Sequence, residues 1–112
     1  GTYYGTFWGP DLVQIRKKLS YVREFEKKHR AKIYVGEFSA FACAPGADAY
    51  LRDCIRVFEE YGWDWTYHAF REGALWSVEH EGPALDSMKQ VPSTPRKEVL
   101  LNAFRNNDRK GK

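Results

Sequence analysis

Cysteine and long apolar runs are scarce in this sequence. The two cysteines, Cys43 and Cys54, stand eleven residues apart, a spacing that matches neither a CxxC pair nor a set of zinc ligands. Cys54 falls on the apolar side of a predicted helix, which favours a small buried side chain over a disulfide partner. No apolar run is long enough to span a membrane, so the sequence predicts no membrane partner.

A strong excess of one charge is also absent. The 18 Lys and Arg residues against 15 Asp and Glu leave a net charge of +3. Without a concentrated basic stripe, this charge gives little support for nucleic-acid binding. Aromatic residues are abundant instead, with 4 Trp and 7 Tyr among 112 residues. They argue against a disordered chain and favour an apolar surface with polar edges. The length suits one domain rather than two.

Hydrophobic periodicity predicts helices and strands in alternation. The order is a helix over 12–25, a strand over 33–37, a helix over 48–61, a strand over 63–70 and a helix after Pro95. Such alternation predicts an α/β fold with parallel strands and helices packed outside them. Two parallel strands leave both edges of their sheet open, which indicates part of a larger fold.

Turn and cap residues set the expected boundaries. Asp48 is a candidate N-cap, Gly62 stands where a helix-terminal glycine is expected, and Thr94 with Pro95 predicts an N-cap followed by the first helical residue. The first ten residues are predicted as a loop, 71–92 is a long polar segment, and 105–112 is predicted as a disordered tail.

Glu37 is the least expected residue of the first strand. It follows Gly36 directly behind a run of strand-forming residues, although glutamate is seldom buried without a partner. From the residues alone, a functional carboxylate and an ordinary surface carboxylate at a strand end are equally good interpretations.

Four runs of the sequence carry a family resemblance. VGEFSA, YLRDCIRVFEEYGWDWTYHAFRE, WSVEHEGP and VPSTPRKEVLL resemble, in order and spacing, the C-terminal part of cellulases of glycoside hydrolase family 5. The resemblance extends from the first helix to about Asn106. It implies a partial (β/α)₈ TIM barrel over the single segment 1–112, whose helix–strand–helix–strand–helix order corresponds to the last two to three βα units.

The resemblance implies a retaining endo-β-1,4-glucanase that needs no cofactor and no metal. Glu37 would be its nucleophile, at the strand end where such barrels place their active sites. A retaining glycosidase needs a second carboxyl group about 5–5.5 Å away as acid and base. In the family that group lies in an Asn-Glu-Pro motif, which this sequence does not contain. The acid/base carboxylate is therefore expected outside this chain.

Trp65, His68 and Trp76 are the candidates for substrate binding, because they lie at or after the end of the second strand. A pyranose ring stacks its C–H face on an aromatic side chain while polar groups bond its hydroxyls. Alternation separates Trp65 from Thr66 and His68, so only one set can face the barrel interior. Which set does so stays open, and a structural role for His68 stays open too. Trp63 is expected to pack against a helix.

The expected partner is a β-1,4-glucan, with two alternatives to catalysis. The chain could bind glucan through Trp65 and Trp76 without cleaving it, or its open strand edges could pair with another chain. A homo-oligomer, or a complement to the missing barrel half, is expected on that ground. Glu79, His80 and Glu81 do not point in one direction along a strand or helix, which argues against a metal site there. A secreted location is suggested by the resemblance alone.

Overall fold

The computed structural model describes residues 2–3, 6–7 and 11–110. In this part of the chain helices and strands are mixed, as predicted, and none of the described helices has the length and apolar character needed to cross a bilayer. The elements in chain order are β1 (Thr2–Tyr3), β2 (Thr6–Phe7), α1 (Asp11–Lys18), α2 (Ser20–His29), β3 (Tyr34–Phe38), α3 (Ala47–Tyr61), β4 (Asp64–Tyr67), β5 (His80–Glu81), β6 (Lys89–Gln90) and α4 (Pro95–Lys110).

Strands β3 and β4 pair in parallel, which confirms the predicted direction. Val35 lies opposite Trp65 and Phe38 opposite Tyr67. Between these two pairs β3 has two residues and β4 has one, so β3 carries a β-bulge. The extra residue lets Val35 and Phe38 both pack against the core, although they stand three residues apart.

Helix α3 is the centre of the core. Leu51 and Val57 are both 0% exposed. Val57 packs in one cluster with Phe58 and Trp63, while Ile55 packs in another with residues of α4. The helices therefore cover one face of the β3–β4 sheet. Trp63 is buried against α3 and Cys54 lies in the same cluster, as predicted for both.

The predicted helix over 12–25 is divided into α1 and α2. Leu19 has φ −93° and ψ 0°, and the Ser20 hydroxyl donates a hydrogen bond to the Lys17 carbonyl at 2.8 Å. Side-chain bonds of this kind compete with the helical ladder and bend helices. The single-helix prediction was wrong because the apolar spacing continues across a bend that only Ser20 signals.

Helix boundaries were predicted correctly at two of three positions. Gly62 ends α3 with φ 70°, and the Thr94 hydroxyl caps α4 by accepting a hydrogen bond from the Lys97 backbone N–H at 3.2 Å. Asp48 is not the N-cap of α3, because that place is taken by Gly46 with φ 75°. Asp48 lies in the first turn, where its charge still suits the helix dipole.

The predicted opening loop and the long polar segment each contain a short antiparallel pair. β1 pairs with β2, and β5 pairs with β6. Each strand has two residues, too few for an alternating pattern to be visible in a sequence. Residues 105–110, within the stretch predicted as a disordered tail, belong to α4. Neither Pro nor Gly interrupts the chain between Arg96 and Lys110.

Candidate functional site

The candidate site lies where β3 and β4 end. The His68 backbone N–H donates a hydrogen bond to the Phe38 carbonyl at 3.1 Å, so the first residue after β4 stays beside the last residue of β3. Glu37 precedes Phe38 and is exposed, while Phe38 packs on the core. A carboxylate at the carboxyl end of β3 thus faces solvent next to the start of the loop that follows β4.

The bulge in β3 is stabilised by a hydrogen bond from a hydroxyl of the neighbouring strand β4. Thr66 is the β4 residue opposite Gly36 and Glu37, and its hydroxyl donates a hydrogen bond to the Gly36 carbonyl at 2.5 Å. The Tyr34 hydroxyl lies 3.0 Å from the same Thr66 oxygen. Tyr34 is 60% exposed. These groups therefore occupy the sheet face that the helices leave uncovered.

Two loops bring three rings together beside the strand ends. The Ala42 backbone N–H donates to the Leu75 carbonyl at 2.7 Å, which joins the loop after β3 to the loop after β4. The Trp76 ring centroid consequently lies 4.8 Å from that of Phe41 and 6.2 Å from that of His68. We call Phe41, His68 and Trp76 the aromatic cluster. It offers apolar ring faces and one imidazole to a ligand.

Trp65 does not join this cluster. Its ring stacks on Phe104 at 6.0 Å between centroids, and its indole N–H donates to the Glu59 carboxylate at 3.1 Å. The alternation along β4 is thereby resolved: Trp65 and Tyr67 pack toward the helices, and Thr66 lies on the opposite face. Of the four residues selected from the sequence, the structure pairs His68 with Trp76, and it places Glu37 one residue before Phe38, whose carbonyl accepts the hydrogen bond from the His68 backbone.

Three further residues of the candidate site were not selected from the sequence. Phe41 follows the end of β3 more closely than Trp76 follows the end of β4, so the reasoning that selected Trp76 applies to it as well. Thr66 and Tyr34 could not be selected in this way, because their role depends on the bulge. A bulge leaves no mark in the sequence other than Gly36.

The comparisons with known proteins are negative. No protein-family model matches the chain. No curated protein matches it either. The family assignment therefore stays a prediction that the four sequence runs carry.

The loop that holds Trp76 is anchored by a buried carboxylate. Glu79 is 5% exposed and accepts hydrogen bonds from Arg71 at 2.5 Å and from Lys97 at 2.7 Å. These two cations, Lys97 foremost, hold the pKa of Glu79 below its usual value. Arg96 is buried beside them and donates to the carbonyls of Ser77 and His80. The segment after Trp76 is thus tied to the start of α4.

Metal binding has no support in the described part of the chain. Within it, no group of three or more His, Cys, Asp or Glu side chains could hold a metal ion. Glu79 is committed to Arg71 and Lys97. Burial raises the pKa of the Cys54 thiol to about 12, so that thiol stays protonated at neutral pH and is a poor metal ligand or nucleophile.

Proposed function

We propose that this chain is part of a retaining endo-β-1,4-glucanase of glycoside hydrolase family 5, with Glu37 as the nucleophile and the acid/base carboxylate outside the chain. The supporting observation is the exposed Glu37 carboxylate at the carboxyl end of a parallel strand, one residue before Phe38, which is hydrogen-bonded to the backbone of His68 of the aromatic cluster. Two parallel strands with helices on one face form the unit that a (β/α)₈ barrel repeats. Such barrels take their catalytic groups from the carboxyl ends of the strands.

Each member of the site has a role in this proposal. A Glu37 oxygen attacks the anomeric carbon, and the bond from that carbon to the leaving oxygen breaks, which forms a glycosyl ester. Trp76 and Phe41 supply apolar faces for a pyranose ring, and His68 bonds one of its hydroxyls. The leaving oxygen takes a proton from the acid outside the chain. Water then releases the sugar from Glu37 with the same anomeric configuration.

The step assigned to Glu37 can be tested without the acid. A dinitrophenyl glycoside of cellobiose releases a phenolate that needs no proton, and fluorine beside the anomeric carbon slows hydrolysis of the ester. We expect the intact mass to rise by one fluoro-cellobiosyl group, and peptide mapping to place the adduct on Glu37. The matched variants are Glu37→Gln, which should gain no mass, and Glu72→Gln, an exposed glutamate after β4 that should label like the wild type.

Two results would contradict the proposed function. One is the absence of any adduct on the wild-type chain at saturating reagent. The other is an adduct that maps to a different carboxylate and persists in Glu37→Gln, because the nucleophile would then lie elsewhere.

Self-association is a second candidate function, favoured by the open sheet. In the described part of the chain, β3 and β4 pair only with each other, and large apolar side chains near their edges are exposed, including Tyr34 at 60% and Phe70 at 53%. Unpaired strand edges beside exposed apolar side chains favour pairing with another chain. We expect light scattering at micromolar concentration to give a mass above that of one chain. A monomeric mass at that concentration would exclude this candidate.

A further inference from the structure

The Thr66 side chain stabilises the irregular backbone at the bulge in β3. Between Val35 and Phe38, the two residues Gly36 and Glu37 lie opposite the single residue Thr66. A bulge takes its extra residue out of the regular ladder. The hydroxyl of Thr66 donates to the Gly36 carbonyl at 2.5 Å, so a side chain stabilises the backbone where the ladder is irregular.

Tyr34 supports this bond from the other side. Its hydroxyl lies 3.0 Å from the Thr66 oxygen. A carbonyl can only accept, and a threonine hydroxyl has one hydrogen, so the Thr66 hydrogen points to Gly36. Tyr34 must then be the donor to Thr66. The hydrogen bonds run in one direction, from Tyr34 to Thr66 and on to the Gly36 carbonyl.

The end of this chain of hydrogen bonds is the peptide that carries Glu37. The Gly36 carbonyl and the Glu37 nitrogen belong to one planar peptide group, so holding the carbonyl holds the point from which the Glu37 side chain starts. Gly36 has no Cβ to limit its own backbone angles. Without the hydroxyl, the bulge would have more conformations available to it, and the carboxylate would have more positions.

We infer that Thr66, supported by Tyr34, is a positioning residue for the Glu37 carboxylate. The inference rests on the proposed function of Glu37 and goes beyond it, since that function assigns no role to either hydroxyl. A reacting group has to be held within about 0.5 Å of its productive position. Losing the Thr66 hydroxyl should therefore slow the attack by Glu37 and leave sugar binding by the aromatic cluster largely intact.

The test compares variants that differ in one hydroxyl. Thr66→Val keeps the β-branched shape and removes the donor, Thr66→Ser returns a hydroxyl, and Tyr34→Phe removes the support. The readout is the saturating rate of Glu37 labelling by dinitrophenyl fluoro-cellobioside, separated from the half-saturating concentration. We expect Thr66→Val to lower that rate about three- to tenfold, the range expected for losing one neutral hydrogen bond, with little change in the half-saturating concentration.

The controls separate positioning from general damage. Thr66→Ser should recover most of the lost rate, and Tyr34→Phe should lose less than Thr66→Val. Tyr21→Phe removes a hydroxyl from a tyrosine that is 71% exposed on α2 and should leave the rate unchanged. Equal rates for Thr66→Val and the wild type would overturn the inference. So would a loss that Thr66→Ser does not recover.

A second measurement tests the role of Thr66 even if Glu37 forms no adduct. The absence of an adduct would count against the proposed function of Glu37 and not against the positioning role of Thr66. The NMR order parameter of the Glu37 amide should be near the rigid value of about 0.85 in the wild type and fall toward about 0.6 in Thr66→Val, with recovery in Thr66→Ser. An unchanged order parameter in Thr66→Val would overturn the positioning role.

Discussion

Leu51→Ala is expected to lower the free energy of unfolding by about 2–5 kcal/mol, the range measured for buried leucines. Leu51 is 0% exposed and lies in the second turn of α3. Its buried neighbours Ala40 and Ala47 have no side-chain torsions with which to fill the space left behind. The position of the cost within that range depends on how far Phe38, Tyr50 and Tyr67, which also pack on this cluster, move into the cavity that remains.

Urea unfolding followed by circular dichroism measures this loss. Total stabilities of about 5–15 kcal/mol are usual for single domains, so the unfolding midpoint should move to a much lower urea concentration. Leu85→Ala is the matched control, because Leu85 is 60% exposed and surface substitutions usually stay within about 0.5 kcal/mol. Both variants must be compared at one protein concentration, since self-association would stabilise the folded chain by mass action. Equal midpoints for the two variants would contradict the central place of Leu51 in the core.

The fold class was predictable because its signals are local. Helix α3 carries Leu51, Cys54, Ile55 and Phe58 at helical spacing, and all four are buried. Such a stripe requires a sheet or helix to cover it. The parallel direction of β3 and β4 followed from the helix between them, because a parallel pair needs a long crossover connection.

Which side chains of β3 face the core was not predictable, because that depends on the bulge. Regular alternation would put Val35 and Phe38 on opposite faces, yet both pack on the core. From the sequence, either Trp65 in β4 or His68 just after it could have faced the barrel interior. The packing of Trp65 between Phe38 and Phe104 decides the matter, and that packing depends on where α4 lies.

The candidate site was predictable only in part, because it depends on contacts between loops that are distant in the sequence. Glu37 could be singled out from one strand and the residue behind it. Phe41 becomes a neighbour of Trp76 through the hydrogen bond between Ala42 and Leu75, whose partners stand 33 residues apart. Contacts between two loops depend on the arrangement of the whole fold, and periodicity within a single element carries no information about them.

Acidification is expected to destabilise the fold through Glu79. Hydrogen bonds from Lys97 and Arg71 hold its pKa below the usual 4.5. Since the pKa is lower in the folded chain than in the unfolded chain, the stabilisation is fully present above pH 4.5 and is lost as the pH falls through the lower folded value. Thermal midpoints measured from pH 7 downward should therefore fall most steeply below about pH 5.

Glu79→Gln should remove this contribution at every pH. Glutamine keeps the shape but leaves Lys97, whose side chain is 19% exposed, without its counter-charge. Removing one partner from a buried ion pair is strongly destabilising because the other charge stays buried and uncompensated. We expect the thermal midpoint to fall by several degrees at pH 7. We also expect the midpoint to depend less steeply on pH below about pH 5. Some slope should remain, because Arg23 lowers the pKa of Glu26 and Arg16 lowers that of Glu60.

Glu81→Gln is the matched control for this measurement. Glu81 lies two residues further on and is exposed, so its replacement should leave both the midpoint and the acid slope close to those of the wild type. Parallel curves for Glu79→Gln and the wild type from pH 7 to pH 3 would mean that Arg71 and Lys97 do not stabilise the folded carboxylate. A flattened curve would instead show that the anchor between the Trp76 loop and α4 depends on the charge of Glu79, because glutamine fills the same space.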